Sequence, residues 1–394
     1  METPYFKFKS DVLKRNYLKF EELCNKYLKN YVIAYSVKTN GSSGVIDLLK
    51  NLGSNFEVAS INEIKKVPGR ARVFNGCSKN EEELRYAIEN KFLINVDSKS
   101  EIDKIARIVE GIEFGIGLRV SGNKGKFGFE PEKLEEIIDY CNSKNLKVIC
   151  LQFHLGTQQN LRDFEENIRD AEIIIEKIKD KINLKYIDIG GGFPDNSKLK
   201  NLGANLEDYF KSIEKYLRKF ETSIILEPGR NLVADAFELI TRVNVIKEKF
   251  GKKYAILDVG INVLSKITLA YYRFEKLENT KEDISNANPY DMGNSHTNVG
   301  GSNHNEEGND VAINEVSRGI IRNDSNANSV GDTKKNKKKE EYTLAGPLLF
   351  NNDLLGRYFG NLEEGDLIKI ENVGAYCYNL AWEISYSKPK VLIE

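Results

Sequence analysis

Five side chains and one glycine run carry the chemistry that this sequence offers. Lys38 closes the apolar run YVIAYSVK, Arg119 closes GIGLR and His154 closes QFH. Gly190-Gly191-Gly192 follows YIDI, and Glu227 with Arg230 follows SIIL in the segment EPGR. A lysine at the end of a buried strand has an immobilised stem and an amine facing a cleft. Partial desolvation there is expected to lower its pKa and leave neutral amine for attack on a carbonyl. Taken alone, such a lysine reads better as one that snorkels to the surface. A triple glycine lets backbone amides close on a phosphate, and a helix N-terminus after it adds its dipole. His296 and His304 lie in a polar stretch, so any imidazole chemistry falls to His154.

These residues need a scaffold that brings strand ends together. Apolar stretches ending near Val37, Ala59, Phe74, Val96, Val120, His154, Ile189 and Glu227 alternate with helical stretches such as NEEELRYAIEN and SKSEIDKIARIV. Eight such units over about 200 residues are what a (β/α)8 barrel requires, and its catalytic groups sit at the C-terminal strand ends. Lys38 ends the first strand, Arg119 the fifth and His154 the sixth. The glycine run follows the seventh, and Glu227, Gly229 and Arg230 close the eighth, where such barrels commonly bind phosphate.

The expected fold class is therefore α/β, a TIM-type barrel over residues 10–235. A mainly antiparallel β domain is expected from residues 1–9 and 236–394, including FELITRVNVIKEKF, KKYAILDVGINVL, EYTLAGPL, GDLIKIENVG and PKVLIE. Residues 279–340 hold 13 asparagines, one aromatic residue (Tyr290) and a lysine run. They can bury no core and are expected to form a disordered insertion.

Composition narrows the function. The chain has 394 residues with 58 Lys plus Arg against 59 Asp plus Glu, a net charge of -1, which argues against a general nucleic-acid or membrane-surface binder. No stretch approaches the length of a membrane span. The five cysteines form no CxxC pair and read as reduced thiols in a cytoplasmic protein, with neither a disulfide frame nor a metal site.

An imine-forming lysine, a phosphate cradle, a flat ring stacker and a carboxylate together describe a site for pyridoxal 5'-phosphate. A carboxylate beside the pyridine nitrogen keeps it protonated and makes the ring a strong electron sink. An arginine there would favour a milder proton transfer. The chain resembles the fold-type III pyridoxal-phosphate decarboxylases, the group of diaminopimelate and ornithine decarboxylases. AYSVKTN, INVDSKSEI, GKFGF, FHLGT, IDIGGGFP, LEPGR, LDVGIN, AGPL and ENVGAY match in order from end to end. The resemblance implies Lys38 as the Schiff-base lysine, His154 as the ring stacker and Glu227 as the partner of the pyridine nitrogen. It implies Thr157, Gly190, Gly191, Gly192, Gly229, Arg230 and Tyr376 around the phosphate, and places Arg119 among the cofactor-binding residues. It also implies a homodimer with active sites at the interface and a small amino-acid substrate.

The sequence departs from the family pattern twice. Leu349 of GPLLFNND stands where the family has the cysteine that returns a proton to Cα, while Asp353 is kept; Cys377 is a candidate replacement acid. Lys266 and Ala270 stand where diaminopimelate enzymes carry an arginine and a tyrosine, so Lys266 and Asp353 are the candidate substrate-binding residues. The expected function is decarboxylation of a diaminopimelate-, ornithine- or lysine-like amino acid. The alternatives are an amino-acid racemase on the same fold, or an impaired relative that regulates an active decarboxylase.

Overall fold

The computed structural model describes residues 2–122, 125–154, 156–265, 270–278 and 339–394. After β1 (Tyr5–Phe8), eight short parallel strands close a barrel: β2 (Tyr31–Ser36), β3 (Asn55–Val58), β4 (Ala71–Phe74), β5 (Leu93–Val96), β6 (Phe114–Val120), β7 (Leu146–Phe153), β8 (Tyr186–Asp188) and β9 (Ser223–Leu226). All eight are the strands expected from the alternation. Strands covered on both faces read as continuous apolar runs, because helices lie outside and side chains fill the centre. Helix Leu161–Ile178 shows how the outer layer forms. Phe164, Ile168, Ala171, Ile175 and Ile178 recur on one buried face, and the Asn160 side chain caps it by accepting from the Asp163 amide.

The remaining strands are β10 (Phe237–Lys249), β11 (Lys252–Leu257), β12 (Arg273–Lys276), β13 (Glu340–Ala345), β14 (Leu354–Gly360), β15 (Leu367–Glu371) and β16 (Lys390–Ile393). They form a sheet in the order β12-β15-β10-β11-β13-β14, and β1 pairs with both β10 and β16. The pairing is mainly antiparallel, as expected, but β11–β13 and β1–β16 are parallel, so the sheet is mixed. The expected disorder of residues 279–340 falls almost wholly on residues 279–338, which lie outside the described residues; Glu340 instead opens β13. Among the described residues, no helix is long and apolar enough to cross a membrane.

One aromatic cluster ties the barrel to its active end. The Phe193 ring, directly after the triple glycine, packs 5.1 Å from Phe20, 5.4 Å from Phe164 and 5.8 Å from Phe210. Each such pair contributes roughly 0.5–1.5 kcal/mol beyond burial. The glycine loop is thus flexible in sequence but anchored at its C-terminal end.

Candidate active site

Lys38 lies in the turn after β2. The turn is held from the sheet side. Asn379 donates to the carbonyls of Val37 (3.0 Å) and Lys38 (3.2 Å), Asn40 donates to Gly374 O (2.8 Å), and the Tyr376 amide donates to Thr39 O (2.8 Å). The Lys38 ammonium donates to Glu57 Oε2 at 2.6 Å and to Ser36 Oγ at 3.3 Å. Glu57, the only charged residue of β3, is fully buried and also accepts from Ser36 (2.6 Å) and Asn75 (3.1 Å).

This corrects the expectation of a lowered Lys38 pKa. Burial does push it down, but the charges of Glu57 and Glu227 and the Tyr376 phenol together outweigh burial, so the net direction is upward. Burial would raise Glu57, but the Lys38 charge and hydrogen bonds from Lys38, Ser36 and Asn75 leave its carboxyl below the usual range.

His154 follows β7 and projects into the mouth of the barrel, open to solvent yet surrounded by protein mass. Burial, then the positive charges of Lys38 and Arg119, lower its pKa to about 4, so the ring is neutral at pH 7. It stands beside the glycine loop, since a Cβ on Gly190 would lie 3.4 Å from His154 Nδ1. Arg119, at the end of β6, lies with its guanidinium 4.3 Å from the Phe127 ring centroid and its Nε 3.8 Å from Asp97 Oδ2. Thr157 is exposed on a loop clasped to the glycine loop, where the Gln159 amide donates to Gly192 O (3.1 Å) and Gln158 exchanges two hydrogen bonds with Asp195.

The glycine loop and the loop after β9 lie side by side. The Glu227 amide donates to Gly190 O at 2.8 Å, and Asn231 donates to Pro194 O at 2.6 Å. Gly191 leaves no room for a side chain, because a Cβ would sit 2.8 Å from Glu227 O. Gly190 has a φ of 64°, where glycine carries no steric penalty. On the other flank a Cβ on Gly229 would sit 2.2 Å from Thr39 Oγ1.

Buried polar atoms need partners, and here several have none. Arg230 is buried over the Tyr376 ring at 5.1 Å, with its Nε and Nη1 unpaired, and the buried hydroxyl of Thr39 is unpaired too. Cationic and neutral donors without acceptors, flanking two glycine turns, fit a phosphate. A neutral imidazole and a lysine at the same mouth fit the rest of a pyridoxal ring.

Residues 14–234 match the family described as pyridoxal-dependent decarboxylase, pyridoxal binding domain. The chain belongs to the pyridoxal-dependent decarboxylases. It is 28% identical over 307 residues to the diaminopimelate decarboxylase of Aquifex aeolicus, covering 71% of this chain and 72% of that protein. To the Helicobacter pylori diaminopimelate decarboxylase it is 30% identical over 288 residues, 66% of this chain and 70% of that one. Two solved structures share the fold over 100% of this chain. One is Helicobacter pylori diaminopimelate decarboxylase complexed with L-lysine, with a TM-score of 0.77 and 23% identity over 91% of that chain. The other is the Vibrio vulnificus lysine/ornithine decarboxylase complexed with putrescine, with a TM-score of 0.75 and 21% identity over 94% of that chain. This decarboxylase is thus a pyridoxal-phosphate-dependent enzyme acting on an amino acid.

Other expected positions fall differently. The Asp353 carboxylate is buried and accepts from the amides of Ile261 (2.7 Å) and Leu348 (2.8 Å), which makes it a brace of the loop carrying Leu349. Lys266 lies outside the described residues. Cys377 is fully buried with its sulfur 3.1 Å from the Tyr272 hydroxyl, and burial pushes the thiol up to about 11. That makes it a packed thiol, poorly suited to deliver a proton to the mouth.

Sequence reasoning missed the buried polar residues beneath the site, Glu57, Asn75, Asn95 and Asp188. The signal was present in NFEV and YID, where one carboxylate interrupts an otherwise apolar strand.

Proposed function

We propose that this decarboxylase acts on a basic or diamino acid of the diaminopimelate, lysine or ornithine type, with Lys38 as the residue that joins covalently to the cofactor. The observation that carries this reading is the unpaired Arg230 guanidinium and Thr39 hydroxyl beside Gly229, at the mouth where the Lys38 amine opens. When bound, pyridoxal phosphate supplies a ring that accepts the electron pair released as the substrate carboxylate leaves as CO2.

The chain's residues divide the work. Arg230, Thr39 and the glycine turns bind the phosphate, and Tyr376 covers the guanidinium. His154 borders the site beside the glycine loop as a neutral ring. Glu227 presents a carboxyl group to the pyridine nitrogen. Glu57 holds the Lys38 amine in place and keeps it charged until it gives up its proton. The names of the relatives support the substrate class.

A homodimer belongs to the same reading. Leu349 is fully exposed, and Phe350, Leu380, Trp382, Ile384 and Tyr386 are exposed on neighbouring segments, with Phe350 and Trp382 ring centroids 6.2 Å apart. Apolar groups of that size left in water mark a surface that another chain covers. A cytoplasmic location is also part of it, supported by five free cysteines.

The test is the visible spectrum of the purified protein with added pyridoxal phosphate, followed by L-ornithine, L-lysine and diaminopimelate in turn while CO2 is measured. The expected result is a bound-cofactor band, trapped by borohydride in the wild type and absent in Lys38→Ala, with CO2 from one of these substrates. Borohydride-trapped cofactor in Lys38→Ala would overturn the assignment of Lys38. A band with no CO2 from any of the three would overturn the substrate class.

A further inference from the structure

Polar side chains from five barrel strands meet near the C-terminal ends of those strands, and one carboxamide joins them. Asn75, directly after β4, is buried, as are Glu57 of β3 and Glu227 after β9. Asn75 Nδ2 donates to Glu57 Oε1 at 3.1 Å and to Glu227 Oε1 at 2.7 Å. A carboxamide nitrogen carries two hydrogens, so each acid takes one. Asn75 Oδ1 accepts from Asn95 Nδ2 of β5 at 2.9 Å, and the same Asn95 nitrogen donates to Asp188 Oδ2 of β8 at 3.1 Å. These contacts leave one orientation for each amide. With Asn95 turned over, its oxygen would face Asp188 and the Asn75 oxygen. With Asn75 turned over, its oxygen would face two acids. Buried acceptors that face each other with no proton between them are disfavoured.

We propose that Asn75 is a positioning residue of this decarboxylase: its NH2 group ties the acid that holds Lys38 to the acid that faces the cofactor's ring nitrogen, and separates the two. The ring-nitrogen half rests on the placing of Glu227 proposed above; the tie from Asn75 through Glu57 to Lys38 does not. Lys38 (2.6 Å) and Ser36 (2.6 Å) donate to Glu57 Oε2, while Asn75 donates to Oε1. The amine and the amide thus hold opposite oxygens of one carboxylate. Without the amide, the charge left on Oε1 holds the Lys38 proton more tightly. Glu227 is affected in the same sense. Burial and the charges of Asp188 and Glu57 already push its carboxyl well above the usual range, so loss of a donor leaves it more fully protonated.

The experiment is a double-substitution cycle of Asn75→Leu, close in volume but without a donor, with Glu57→Gln. The first readout uses the cofactor-free protein. The Lys38 side chain is 40% exposed, so acetic anhydride reaches it, and peptide mass spectrometry follows its labelling at fixed pH. Asn75→Leu should slow labelling about fivefold, the equivalent of one net hydrogen bond. In the Glu57→Gln protein, where no charge is left to satisfy, the same substitution should change the rate less than about twofold. The second readout is binding of pyridoxal phosphate labelled with 15N in its ring. Asn75→Leu should weaken binding about tenfold, as for a hydrogen bond to a charged group, and move the ring-nitrogen resonance toward its unprotonated position. Asn75→Ser, smaller and with one donor, should return part of both losses, and it carries the same cycle if Asn75→Leu does not fold. No slowing, or equal slowing with and without Glu57→Gln, would make Asn75 a packing residue and overturn the tie. Labelling as expected with an unmoved ring-nitrogen resonance would overturn its Glu227 half. Labelling as expected in a wild type that binds no cofactor would instead count against the pyridoxal site and leave the tie to Lys38 standing.

Discussion

The ammonium of Lys38 and the buried carboxylate of Glu57 lie 2.6 Å apart, and Glu57 has no other cation within hydrogen-bonding reach among the described residues. The pair holds the lysine charged, so its reaction with an aldehyde waits on loss of a proton. In Glu57→Gln the Lys38 pKa falls, and the neutral fraction at any given pH rises. The pH midpoint for cofactor attachment is expected to move acidward by about one to three units, the range for an opposite charge in contact. Stopped-flow absorbance against pH measures it; a midpoint that does not move would remove Glu57 from control of the amine.

Arg230→Ala should weaken pyridoxal phosphate binding by about 10- to 100-fold, the range for hydrogen bonds to a charged group. Binding of pyridoxal, which lacks the phosphate, should change little. Arg230→Lys should recover only part of the affinity, because a point charge does not reproduce the planar fork. Equal losses for both ligands would place Arg230 elsewhere than at the phosphate.

Gly229→Ala puts a methyl group 2.2 Å from Thr39 Oγ1. The strain should cost about 1–3 kcal/mol, read as a lower urea midpoint. Adding Thr39→Ala should return part of it. If the single substitution leaves the midpoint unchanged, the turn is looser than its geometry indicates.

His154 has a native pKa of about 4 against an unfolded value of about 6.5. The native state therefore binds fewer protons than the unfolded one in that window, and the stability His154 allows at neutral pH is lost as pH falls from about 6.5 toward 4. His154→Phe removes the titrating group. Its urea midpoint should fall less than that of the wild type between pH 7 and pH 5; parallel losses would show that other groups dominate acid lability.

The exposed loop gives the last prediction. Phe350→Asp combined with Trp382→Asp should shift the protein toward monomers in sedimentation equilibrium and lower turnover along with it. Leu349→Cys should raise turnover, because a thiol can return a proton to Cα and a leucine cannot. A fully active monomer would separate this surface from catalysis.

Most of the barrel could be read from the sequence because its signal is local. Most of the eight strands are apolar runs followed by an amphipathic helix, and Lys38, His154 and Glu227 stand where those runs stop. The strands β12 (RFEK) and β14 (LLGRYFG) went unread because they lie at the sheet's edges and mix charged with apolar residues. The Lys38 pKa was misjudged for a related reason. Desolvation follows from the strand that carries the lysine, while the carboxylates that outweigh it come from β3 and from beyond β9. Asn75, which donates to both Glu57 and Glu227, gives no sign in FNGC of the two acids it joins. Asp353 is matched by motif alone, and of the amides that occupy it Leu348 lies in the same segment while Ile261 comes from a distant turn.

The parallel ladder of β1 with β16 joins Tyr5 to Lys390 and Phe8 to Ile393, and β1 also pairs with β10. During synthesis residues 5–8 leave the ribosome long before either neighbour exists. The barrel strands that follow can close among themselves while this first strand stays without its sheet. Residues 5–8 must then wait for strands more than 200 residues further along the chain, with their edges unpaired in the meantime.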